Sequence, residues 1–102
     1  MRITTGDNTV RVAGFHKVPS GIYDQYQFNF INQAGYTHAI GYNVPAGVIP
    51  PRIVRDLLEL RRRKLWFVIY LREKNRMLMI HTIKEPKVPQ AELWHFAKGV
   101  VA

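Results

Sequence analysis

Four consecutive cations, Arg61-Arg62-Arg63-Lys64, stand between a helix-patterned segment and the apolar run Leu65–Leu71. Their chemistry is anion binding. Guanidinium groups grip phosphate or carboxylate oxygens at two points, and an ammonium acts as a compact point charge. A cation or two in the last turn of a helix is explained by the helix dipole, at about 0.3–1 kcal/mol each. Four in a row exceed that need. Lys84 and Lys87 are expected to return beside them along a neighbouring strand, which makes Arg61, Arg62, Arg63, Lys64, Lys84 and Lys87 the candidate anion-binding set. Arg72, Lys74 and Arg76 form a second basic group, carried by the intervening strand to the opposite pole.

Charge is distributed unevenly between the two halves. Residues 1–49 hold Arg2, Arg11 and Lys17 against Asp7 and Asp24, whereas residues 50–102 hold the other twelve Lys and Arg against five acids. A net charge of +8 concentrated in this way points to an anionic partner. Nucleic acid is the preferred partner class, and an acidic protein surface is the alternative. Reversing charge at Arg62 and Arg63 is expected to weaken binding more than the same change at Lys74 and Arg76.

Other chemistries find less support. Tyr26, Phe28 and Phe30, with Tyr36 and Tyr42, could stack unpaired bases. No Lys or Arg interleaves them, however, so they read as the core side of a sheet. Gln25, Gln27 and Asn29 on the other side suit protein contact. Gly21-Ile22-Tyr23 and Ala39-Ile40-Gly41 are similar to the GIY-YIG nuclease signature over six residues, but the spacer is too long and the second segment lacks its tyrosine. Glu85-Pro86-Lys87 matches the second half of a PD-(D/E)xK nuclease motif. That half-motif needs a strand to aim both side chains at one metal, and Pro86 is incompatible with one. His16, His38, His81 and His95 have no metal-ligand spacing. Cysteine is absent, and the single serine, Ser20, neighbours no base. No catalysis, cofactor or metal is expected.

The elements that must position these residues follow from periodicity. Thr9–Phe15 reads as a first strand, Val18–Gly21 as a turn, and Asp24–Asn32 as a strand of clean alternation. Gln33-Ala34-Gly35 turns the chain into a strand over Tyr36–Tyr42. After a Pro- and Gly-punctuated loop, Pro51 suits the first turn of a helix. Ile53, Val54, Leu57, Leu58 and Leu60 form its apolar stripe, and Glu59 and Arg63 an i,i+4 pair. This helix either ends near Leu60 or runs on with Arg61 and Lys64 snorkelling around the core edge. Leu65–Leu71 reads as a central strand, Glu73–Arg76 as a hairpin loop and Met77–Ile83 as its return. A short helix over Gln90–Lys98 turns Leu93, Trp94 and Ala97 inward, with Gly99 as its C-cap.

The expectation is a single α+β domain over residues 1–102, in the order β-β-β-α-β-β-α, with an antiparallel sheet of about five strands. No apolar run reaches the ~20 residues of a membrane helix, and no membrane partner is expected. With no signal-like N-terminus and no cysteine, a soluble cytoplasmic protein is expected. Strand 9–15 is a candidate exposed edge that could pair across a homodimer axis.

Overall fold

Alternation builds the sheet that dominates the fold. The structure, a computed structural model, describes the backbone of residues 1–101 and the side chains of residues 1–95. Its elements are β1 (Gly6–Ser20), β2 (Tyr23–Asn32), β3 (Thr37–Pro45), α1 (Arg52–Arg62), β4 (Phe67–Lys74), β5 (Met77–Lys84) and α2 (Gln90–Val101). The five strands form one sheet in the order β3-β2-β1-β4-β5, antiparallel at every junction. The α+β class and the element order match the sequence-based expectation.

β1 organises the sheet because its two halves serve different partners. Gly6–Val10 pairs with β4, and Val10–Ser20 pairs with β2. The β2–β3 and β4–β5 hairpins therefore extend from Val10 in opposite directions along the strand axis. The Cα radius of gyration, 14.0 Å, exceeds the about 13 Å of a rounder domain of this length, as this stagger requires.

A bulge at Ala13 lies between Val12, opposite Phe30, and Gly14, opposite Asn29. It resets the alternation, so that Phe15 joins Val10 and Val12 on the core side. β1 also runs through Pro19, which the sequence pattern placed in a turn. Ser20 and Tyr23 flank a two-residue turn at Gly21-Ile22, with Gly21 at φ 66°. In such a hairpin the next pair out, Pro19 and Asp24, directs its backbone groups away from the partner strand. The missing N–H of Pro19 therefore leaves no gap in the β1–β2 ladder. β4 occupies the flank of β1 opposite β2 over Gly6–Val10, so the expected free edge at 9–15 is corrected for Thr9 and Val10. From Arg11 onward that flank has no strand, and β3 and β5 end the strand order.

The concave face holds the core. Val10, Val12, Tyr26, Phe28, Phe30, Ile40, Val44, Phe67, Ile69 and Leu71 are buried there with Val54 and Leu57 of α1. The ring centroids of Phe28 and Phe15 lie 5.0 Å apart, and Phe67 meets Phe30 edge-on at 6.1 Å. α1 begins after Pro51, which sits at the N-cap position rather than in the first turn. Glu59 pairs with Arg62 rather than Arg63, because Arg63 is already the C-cap residue.

A smaller cluster, Trp66 with Leu93 and Trp94, seats α2. Leu65 and Trp66 precede β4 rather than opening it. The Gln90 side-chain amide explains why: it accepts from the Trp66 N–H at 2.8 Å and donates to the Trp66 carbonyl at 2.7 Å. Those two contacts occupy the backbone groups that a strand partner would use. α2 continues through Gly99 to Val101, so that glycine does not cap it. The inward placement of Ala97 lies outside the described side chains.

Candidate anion-binding pole

The end of α1 fixes the geometry of the four cations. Lys64 donates its backbone N–H to the Arg61 carbonyl, and Leu65 donates to that of Leu60, at 3.1 Å each. This pair of bonds is a Schellman closure, in which the residue after the C-cap is left-handed. Lys64 occupies that position at φ 56°. The helix thus continues past Leu60 and turns at Arg63-Lys64. All four side chains are exposed.

β4 joins β1 only as far as Val10, opposite Phe67. Beyond that pair, one flank of β1 has no strand beside it. A recess of about 360 Å³ occupies this corner, with Arg61, Arg62 and Lys64 on the helix side and Arg11, Ala13 and Trp94 across from them. No carboxylate lines it. The Arg61 guanidinium lies 5.7 Å from the centre of the Phe15 ring, and that of Arg11 lies 5.2 Å from Trp94 and 5.7 Å from Trp66. These aromatic faces hold the cations in place without neutralising them. Nε of Arg11 is buried without a hydrogen-bond partner among the described residues.

The remaining candidates divide. Arg62 bonds Glu59, and that bond holds the Glu59 carboxyl below its ordinary value and the Arg62 guanidinium above its own. Lys84 reaches Asp7 at 3.1 Å and lies 5.3 Å from the centre of the Tyr70 ring. It ends β5, with its backbone opposite Val68 near the start of β4. Arg63 and Lys87 are exposed and outside the recess. Among the described residues, Arg11, Arg61, Arg63, Lys64 and Lys87 form no salt bridge. Arg72, Lys74 and Arg76 surround the β4–β5 hairpin tip, with Arg72 over Tyr70 at 5.6 Å.

Arg11 was not among the candidate residues. Its alternation with Val10 and Val12 marks it as facing away from the core, but nothing in its own half of the chain ties it to residues 61–64. The aromatic side of β2 cannot stack bases, since Phe28 and Phe30 are fully buried. Glu85-Pro86-Lys87 follows β5 outside any strand. Among the described residues, no group of three or more His, Cys, Asp or Glu comes together, and no helix is long and apolar enough to cross a membrane.

Comparison with protein families, curated proteins and solved structures finds no match to this chain. Its own geometry carries the functional reading.

Proposed function

We propose that the protein is a small non-catalytic binding module whose basic pole contacts nucleic-acid phosphates in an accessory or regulatory role. The supporting observation is the recess where Arg11, Arg61, Arg62 and Lys64 converge with no carboxylate among its lining residues. Arg63, the C-cap residue of α1 between Arg62 and Lys64, extends the positive surface beside it. Hydrogen bonds from such groups to phosphate oxygens position a protein on nucleic acid without reading sequence.

Five of the proposed phosphate contacts, Arg11, Arg61, Arg63, Lys64 and Lys87, lack a carboxylate partner among the described residues. If each displaces a counterion from duplex DNA, log affinity falls with log salt at a slope of about −4 to −5. Fluorescence anisotropy with random-sequence duplex and single-stranded oligonucleotides across a salt series measures this. Absence of binding to every oligonucleotide at ~50 mM salt rejects the reading.

A protein partner with an acidic surface is the second reading, for an inhibitor or assembly factor. The aromatic wall of the recess favours it, because Trp94 beside the Arg11 guanidinium resembles the anchoring pockets of protein interfaces. Binding to an acidic polypeptide with no binding to oligonucleotides would select it.

A further inference from the structure

The two edge strands of this sheet face each other. Although β3 and β5 stand at opposite ends of the strand order, a single groove of about 680 Å³ is walled by residues 38–43 of β3 and by residues 74–80, which run from the end of β4 through the turn into the first half of β5. Each wall is a consecutive run that includes side chains of both faces, so the groove follows the strand edges themselves. The sheet has curled until its two edges border a common gap.

Strand direction explains the gap. Four antiparallel junctions in a row leave β3 and β5 running the same way. Joining them directly would require a parallel ladder in an otherwise antiparallel sheet. One further strand, antiparallel to both, closes the circle with the same hydrogen-bond pattern throughout. β3 pairs only with β2, and β5 only with β4, so each presents an unpaired edge.

We infer that this gap is a docking site for one extended segment of a partner protein, running antiparallel to β3 and β5 and acidic at its C-terminal end. Such a strand ends beside the start of β5, where Lys74 and Arg76 flank the groove. Glu73, the acid in that hairpin, does not line it. Ile40, Leu78 and Ile80 offer apolar contact to alternate side chains, and Met77 and Met79 are exposed at the same edge. Tyr42 also lines the groove, with its hydroxyl buried and without a hydrogen-bond partner among the described residues. Affinity then comes from backbone pairing and direction from the terminal charges.

The probe is a fluorescein-labelled peptide about ten residues long, enough to span the groove, with Val and Thr alternating and Glu-Glu at a free C-terminus. Saturable anisotropy is expected, weakened at least ~10-fold by Lys74→Glu with Arg76→Glu and by moving the acids to the N-terminus. Unchanged urea midpoints show that the variants are folded. N-methylation of either the odd or the even residues should abolish binding, because successive N–H groups point to opposite walls. Loss with one set only means simple addition to a single edge and overturns the bridging strand. Equal binding of the order-reversed peptide overturns the assigned direction. No saturable binding, or a dimer of the protein alone with exchange-protected amides in both β3 and β5, overturns the proposal and in the latter case assigns the groove to a second copy.

Discussion

Lys64 and Arg76 adopt a backbone conformation that their side chains disfavour. Lys64 closes α1 at φ 56°, and Arg76 is the second residue of the β4–β5 turn at φ 63°, following Asn75 at φ 52°. Left-handed backbone costs an L-residue with a Cβ about 1–2 kcal/mol, and glycine avoids that cost. Glycine is the usual residue after a helix C-cap, and Asn-Gly the usual pair in a turn with both central residues left-handed. Part of the gain is offset by the greater freedom of glycine in the unfolded chain. Lys64→Gly and Arg76→Gly should each stabilise the fold by about 1 kcal/mol, read as a higher urea midpoint at constant slope. Lys64→Ala should not, because alanine retains the Cβ. A neutral or lower midpoint for both glycine variants would contradict the left-handed assignment. Lys64→Gly should also weaken oligonucleotide binding while stabilising the protein, which separates loss of charge from loss of fold.

At the scale of elements, much of the architecture was legible because local patterns decided it. The Tyr26/Phe28/Phe30 alternation placed β2, and the Val54/Leu57 stripe placed α1 against the sheet. The extent of β1 was not legible, because the bulge at Ala13 resets the alternation and Pro19 imitates a turn. Nor could local pattern show that Arg11 faces residues 61–64, since that depends on the long-range pairing of Val10 with Phe67. The docking of α2 was only half visible. Leu93 and Trp94 are apolar at helical spacing, but the Gln90 clasp on the Trp66 peptide depends on a contact 24 residues distant. That clasp satisfies both backbone groups of Trp66, whose side chain is only 1% exposed. Gln90→Ala leaves an N–H and a C=O without their partner, and each such partly buried group costs about 1–3 kcal/mol when unsatisfied. A loss of about 2 kcal/mol is expected at equilibrium, together with faster amide exchange at Trp66. Gln90→Glu should recover the acceptor half alone and fall between. If Gln90→Ala leaves both exchange and stability unchanged, α2 is held by Leu93 and Trp94 without it.

Across the whole molecule, the reversal of direction along β4 separates the basic groups. Arg61–Lys64 lie before β4, and Lys74 and Arg76 lie at its far end. The first group faces a recess beside Arg11 and Trp94, and the second flanks the groove between the sheet edges. Two surfaces with different walls call for different ligands, and long-range charge alone cannot distinguish them within a Debye length of about 8–10 Å. Reversing charge at Arg63 and Lys64 should lower oligonucleotide affinity at least ~10-fold and leave the alternating peptide bound. Reversal at Lys74 and Arg76 should do the opposite. Each pair removes the same formal charge, so net charge cannot account for a crossed result. Equal loss of oligonucleotide binding in both variants would mean that the protein attracts nucleic acid through its total charge of +8 and not through the pole at the end of α1. Arg62→Glu is a poorer choice for this comparison, because Arg62 already bonds Glu59 and its reversal places two carboxylates together. Arg63 and Lys64 form no salt bridge among the described residues, so changing them alters the surface with least disturbance to the helix.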